Sequence, residues 1–238
     1  MSGRQKIDHQ AAFLLHSHPY SETSLILDVF TREFGRVPLL ARGARRPRSA
    51  LRGLLIGFQP LELGWFGSGE VKTLAKAEWL GGLPLLKGRC LLLGYYLNEL
   101  LLKLLQREDP HPGLFDAYAA ALSALAQETA DAPELRRFEK ALLREIGYGL
   151  TLDRDAHGEP VRPGSLYQYL IDRGPVETAD HPGPSCFTGK TLLDLAADDY
   201  SDPRTLAESK QLMRLLVNHQ LEGRPLQSRR VFIELQEL

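Results

Sequence analysis

Five arginines, Arg42, Arg45, Arg46, Arg48 and Arg52, fall within eleven residues, with Arg36 just upstream and no acidic residue from Arg36 to Leu61. A guanidinium offers a fork of donors that grips phosphate oxygens two at a time, so a run of them without a carboxylate makes a surface for polyanions. Cations this close repel one another and draw their counter-charge from outside the segment. The chemistry is therefore binding, with a nucleic-acid backbone as the natural ligand and Arg36, Arg42, Arg45, Arg46, Arg48, Arg52 and Lys72 as the candidate contacts. A loop kept soluble by its charge is the plainer alternative. Tyr20, Phe34, Phe58, Trp65 and Phe66 are the aromatics available for stacking on bases, although the alternation around them assigns most to a core.

Other chemistries fail on spacing. Gly189-Lys190-Thr191 resembles the end of a phosphate-cradling loop, but the glycine required five residues before Gly189 is Pro184, which lacks the necessary N–H, and Gly183 is one residue out of register. Asp153, Asp155, His157 and Gly158 imitate the start of a calcium loop whose twelfth position is Gly164 instead of Glu. His16 and His18 lack further ligands at metal-binding spacing, and two cysteines, Cys90 and Cys186, cannot complete a four-ligand zinc site. No nucleophile, base and orienting group assemble by pattern, so the expectation is a protein that is not an enzyme and uses neither metal nor cofactor.

The elements that must position the arginines are short strands. Ala11–His16 is an apolar run, Leu25, Leu27 and Val29 share a face, and a turn over residues 31–35 leads to Val37, Leu39 and Ala41 on one face. Beyond the arginines, Leu61, Leu63 and Trp65 alternate, and Gly67-Ser68-Gly69 turns into a fifth strand with Val71, Thr73, Ala75 and Ala77 on one side and Lys72 and Lys76 on the other. Five strands in about 80 residues, with one long connection after the third, predict a closed barrel of the OB type; an open SH3-like barrel is the competitor.

From Gly88 the period becomes helical. Cys90–Arg107 is apolar almost all round, which predicts a helix surrounded by others. Leu114, Tyr118, Leu122 and Leu125 form the stripe of a second helix; a third, opened by Asp131 and Pro133, carries Leu135, Phe138, Leu142 and Ile146 and ends at Gly147. Residues 151–187 are dense in Gly, Pro, Asp and His, and are expected to form an irregular excursion with one weak strand pair and little core. Helices resume with Leu192 and Leu195 and over 203–221, where Leu206, Met213, Leu216 and Val217 face inward. The fold class is thus α+β: an OB-type barrel over residues 1–80, then a helical domain over 81–238 with an irregular segment at about 150–188.

Charge divides the same way. Residues 1–80 hold 11 Lys and Arg against 7 Asp and Glu, and residues 81–238 hold 18 against 23, which argues for two modules with different partners. With 43% hydrophobic residues and two distant cysteines, the chain is expected to fold without disulfides in a reducing cytoplasm. Residues 1–10 lack the apolar stretch of a signal peptide, and the segment 90–105 is short and charged for a membrane span, so no membrane association is expected.

Pro19-Tyr20-Ser21-Glu22-Thr23-Ser24-Leu25, Asp28-Val29-Phe30-Thr31, Gly35-Arg36-Val37, Ala41-Arg42-Gly43-Ala44-Arg45, Leu51-Arg52-Gly53, Asn98-Glu99-Leu100, Leu135-Arg136-Arg137-Phe138-Glu139, Gly147-Tyr148-Gly149 and Phe187-Thr188-Gly189 occur in this order over nearly the whole chain. In this order and spacing they resemble the RecO family of bacterial recombination mediators. The resemblance implies an N-terminal OB domain, a helical domain, and a C-terminal part that in many members holds a four-cysteine zinc module. Here only Cys186 stands in that region, so a metal-free version is expected.

It further implies binding to single-stranded and duplex DNA, strand annealing, partnership with RecR, and help in loading RecA onto DNA covered by single-strand binding protein (SSB), in the cytoplasm at the nucleoid. It also implies a site for the acidic, Phe-terminated tail of SSB. Arg136 would pair with the terminal carboxylate, and Phe115, Tyr118 and Leu122 would wall an apolar pocket. Two other readings stand beside it: an OB-containing RNA-binding or translation-associated module, and a phosphoryl-transfer enzyme using Gly189-Lys190-Thr191.

Overall fold

The computed structural model describes residues 6–127, 132–179, 183 and 185–236. Five strands, β1 (Lys6–Tyr20), β2 (Ser24–Thr31), β3 (Gly35–Ala41), β4 (Pro60–Phe66) and β5 (Lys72–Trp79), close into a barrel in the order β1-β2-β3-β5-β4, with a short helix α1 (Leu51–Leu54) between β3 and β4. All neighbours are antiparallel except β3 and β5, whose parallel contact closes the ring. Helices α2 (Gly88–Leu104) and α3 (Pro112–Ala126) follow, then α4 (Ala132–Glu145), a three-stranded sheet of β6 (Leu166–Leu170), β7 (Gly174–Thr178) and β8 (Cys186–Thr188), and helices α5 (Gly189–Ala196), α6 (Pro203–Gln220) and α7 (Gln227–Gln236). The chain forms two compact units: Met1–Thr129 with Leu226–Leu238, and Ala130–Pro225.

Period-two alternation fills the barrel: Ala12, Leu14, Leu27, Val29, Val37, Leu39, Leu61, Leu63 and Trp65 point inward and are buried. The fifth strand departs from simple alternation. Gly64 pairs with Lys76 but Trp65 with Leu74, leaving Ala75 as an extra residue. This bulge puts Leu74 and Ala77 against the core and leaves Val71 and Ala75 exposed, so the expected Val71, Thr73, Ala75 and Ala77 face is corrected.

Strand β1 is longer than its apolar run because it bends twice. One irregularity lies at Asp8 and His9, opposite Gly64; the other skips Leu15 between the pairs Leu14–Val29 and His16–Asp28. The carbonyl of Leu15 is taken instead by Asn98 of α2, at 2.8 Å, and the Asn98 carbonyl accepts the hydroxyl proton of Tyr118 on α3. Burial raises the Tyr118 pKa, so the phenol stays a donor. Outside the barrel, Phe13 and Phe30 pair across β1 and β2 and meet Phe115 and Tyr118 at 5.2–6.1 Å between ring centres. Helix α2 packs against α3, α7 and β1, so it has neighbours on several sides as its apolar sequence predicts, although Tyr95 stays 52% exposed.

Gly35 locks the barrel to the segment between α2 and α3. It has φ +63°, and a Cβ there would lie 1.9 Å from the Asp109 carbonyl oxygen. The amide of Glu108 donates to the Arg36 carbonyl at 2.9 Å. Helix α7 returns to this unit and is capped by Glu99 of α2, whose carboxylate accepts the amides of Gln227 and Ser228, at 2.8 and 2.9 Å, and the Ser228 hydroxyl, with Lys103 3.0 Å away.

In the second unit, α4 and α5 pack on α6, whose inward residues are Thr205, Ser209, Leu212, Met213, Leu216 and Val217; Leu206 is half-buried. Gly147, at φ +85°, follows α4. The expected Asp131 opening of α4 lies outside the described residues. The segment expected to be irregular is built around β6, which pairs with β7 and β8. It contributes a core of its own, Leu152, Val161, Tyr167, Tyr169 and Phe187, all buried. Aromatics at period two were the signal for it, masked by the surrounding Gly and Pro.

Two outcomes follow from these joints. Gly35→Ala forces a Cβ into the Asp109 carbonyl and a left-handed backbone on alanine, and is expected to cost at least about 2 kcal/mol in thermal or urea unfolding. Burial pushes the Glu99 carboxyl up, but the Ser228 and Gln227 amides, the Ser228 hydroxyl and Lys103 outweigh it and hold the pKa below 4.5. The stabilisation is complete above that value and is lost as pH falls through the folded pKa. Glu99→Gln is expected to speed amide exchange in residues 227–236 about tenfold at neutral pH and to abolish the pH dependence of that exchange free energy.

Candidate nucleic-acid interface

After β3 the chain enters a series of tight turns. Gly43 takes φ +69°, and the amides of Arg46, Ser49 and Arg52 donate to the carbonyls of Gly43, Arg46 and Ser49. Ala44 is buried, and Leu51 and Leu55 pack on the barrel core, so apolar anchors alternate with the cations. Arg42, Arg45, Arg46, Arg48 and Arg52 are all exposed. Among the described residues none of the five forms an ion pair with a carboxylate. The loop is fixed by neutral contacts instead: Arg45 donates its amide to Thr23 O, at 2.8 Å, and its guanidinium to Ser21 O, at 3.1 Å.

Two open grooves flank this loop, of about 370 and 340 Å³. The first has Arg42 and Lys76 on its rim and Leu51, Phe66, Leu74 and Ala77 among its walls; the second runs past Arg45, Arg52, Leu25 and Leu55. Cations beside such grooves suit a flexible polyanion more than a small ligand. Of the aromatics, Trp65 and Phe58 are buried, Phe34 lies against Trp65 at 5.4 Å, Phe66 lines the first groove, and Tyr20 is 51% exposed.

Arg36 is placed elsewhere. Its guanidinium donates to the carbonyls of Leu101, Leu102 and Leu105 at the end of α2 and lies 3.8 Å from Asp28. Burial lowers its pKa, and Asp28 opposes that shift. It gathers the last carbonyls of a helix terminus, of which Leu101 O also accepts the Leu105 amide, rather than facing a ligand. Lys72 pairs with Glu108 and is largely covered. The expected surface therefore narrows to the five loop arginines, with Lys76, which pairs with Glu78 at 2.9 Å, as a further cation on the groove rim. The bulge at Ala75 that brings Lys76 there is not visible in the alternation.

The residues expected to bind a peptide tail divide between the units. Phe115, Tyr118 and Leu122 belong to the first and are buried, the first two against Phe13 and Phe30, so they form its core and not the wall of an open pocket. Arg136 belongs to the second, is 7% exposed, and pairs with Glu139 at 3.0 Å, leaving its Nε without a partner among the described residues.

The remaining motifs have structural roles. Thr188 caps α5 by accepting the Thr191 amide, and a Cβ on Gly189 would lie 1.9 Å from the Arg162 carbonyl oxygen. Lys190 pairs with Asp194 and Asp202. Pro184 lies outside the described residues. Asp155 accepts the amides of His157 and Glu159 in a local turn, and the rings of His16 and His18 lie edge-on at 4.2 Å. Among the described residues there is no metal-ligating cluster of three or more His, Cys, Asp or Glu, and no helix long and apolar enough to cross a membrane.

Residues 6–83 match the family described as Recombination protein O N terminal, and residues 88–230 match Recombination protein O C terminal. The chain is 58% identical over 240 residues to the DNA repair protein RecO of Aromatoleum aromaticum and 56% identical over 242 residues to that of Dechloromonas aromatica, with 100% of both chains covered in each case. With the DNA repair protein RecO of an Azoarcus species it shares 54% identity over 244 residues, again over 100% of both. A barrel bearing an exposed arginine loop, joined to a helical part and matched along its length by these proteins, places the chain in the RecO family of DNA repair proteins.

Proposed function

We propose that this chain acts in DNA repair as a recombination mediator that binds single-stranded and duplex DNA through Arg42, Arg45, Arg46, Arg48 and Arg52. The observation that carries the reading is five exposed guanidiniums, none with a carboxylate partner among the described residues, of which Arg42, Arg45 and Arg52 line two grooves. Contacts of this kind go to phosphates and carry no sequence preference. They also screen the repulsion between two strands while leaving base edges free, which is what annealing demands. In this reading the protein works with RecR, meets SSB on the strand and assists RecA loading, in the cytoplasm. No step of it needs a bound cofactor or a catalytic residue.

Arg136 is the group assigned to the terminal carboxylate of the SSB tail. Its unpartnered Nε and its fork geometry supply the donors, and the ion pair to Glu139 is the contact that the tail exchanges.

Replacing Arg45, Arg46 and Arg48 together by Ala is expected to weaken single-strand binding at least about tenfold and to slow annealing in parallel. The parent's affinity should fall on the order of 100-fold between about 50 and 200 mM salt if about five phosphates are engaged, and the triple variant's slope should be shallower by about three contacts. Anisotropy of labelled DNA across a salt series measures both, and unchanged affinity in the triple variant would refute the assignment. Arg136→Met with Glu139→Gln removes both buried charges together and so keeps α4 folded. It is expected to lose binding to an SSB tail peptide while DNA affinity stays within twofold.

A further inference from the structure

The outer face of β1 and β2 has two halves. On one, Phe13 and Phe30 are covered by Phe115 and Tyr118. Past the bulge at Leu15 the cover ends: His16, His18 and Tyr20 project from one face, opposite Asp28, Ile26 and Ser24, and all three are exposed. Tyr20 ends β1 directly before the turn whose Ser21 and Thr23 carbonyls hold Arg45. This stripe of rings is therefore anchored at one end to the arginine loop. His16 meets His18 edge-on at 4.2 Å and supports it from behind.

An exposed ring meets the face of a base only once that base has left its own stack, and a paired, stacked base offers no free face. We infer that Tyr20, followed by His18, is a stacking platform for the bases of an unpaired strand whose phosphates lie on Arg45 and its neighbours; the inference rests on the proposed role of the arginine loop. Stacking uses the face of a base and leaves its pairing edge open, so a strand held this way stays available to its complement. The arginines bind any backbone, whereas Tyr20 adds preference for a single strand.

The test uses the full chain with Tyr20→Ala and Tyr20→Phe. Binding to a labelled oligothymidylate and to a labelled duplex is compared, and quenching of 2-aminopurine placed in a single strand reports stacking. Tyr20→Ala is expected to lower single-strand affinity about tenfold, leave duplex affinity within twofold and abolish the quenching, while Tyr20→Phe keeps all three. Unchanged single-strand affinity overturns the inference, and so does an equal fall for both ligands, which would mark a distorted turn. Failure of the parent to bind either DNA would instead overturn the role of the arginine loop, so the two readings fail separately.

Discussion

The first unit depends on a helix that satisfies a strand where the strand cannot satisfy itself. The bulge in β1 strands the Leu15 carbonyl, and a buried carbonyl without a donor costs about 1–3 kcal/mol. Asn98 supplies that donor and at the same time receives Tyr118, so one amide joins β1, α2 and α3. The rings of Phe13 and Phe30 are then brought against α3, and the barrel acquires a covered side and an open side. Arg36 makes the reciprocal bond, from the barrel to the end of α2. The arginine loop lies in the same chain segment, yet while Arg36 is tied to the end of α2, the five loop arginines are exposed and have no carboxylate partner among the described residues.

Much of this is legible in the sequence, for reasons that differ by element. The inward faces of β2, β3 and β4 follow strict alternation, and the barrel class follows from five such runs with one long connection. Helices α3 and α4 show their stripes because each buries a single face. The apolar sequence of α2 reads as core throughout and is packed by α3, α7 and β1, but its Tyr95, which lies against Phe58, is exposed.

What is hidden is hidden by irregularity. A one-residue bulge reverses every later side chain on a strand, and neither Leu15, between Leu14 and His16, nor Ala75, between Leu74 and Lys76, is of a residue type that marks one. The Arg36 guanidinium reads as one of a cluster until the end of α2 is known to stop beside it. The β6-β7 pair is the one strand pair expected in this segment, whereas β8 and the core carried by Tyr167, Tyr169 and Phe187 are concealed by loop-forming residues on either side. Arg136 and Glu139 are three apart on α4, a spacing that reads as a surface pair and here is buried.

The capping of α7 by Glu99 has a topological consequence. The chain leaves the first unit near Thr129 and re-enters it at Leu226, so the second unit is an insertion with both its ends moored to the same body. Cutting the polypeptide after Pro225 would spare the inserted unit's own fold and strip a helix from the barrel-bearing one. A fusion partner joined at the carboxyl end would likewise sit on the arginine-bearing body, despite being nearest in sequence to the other.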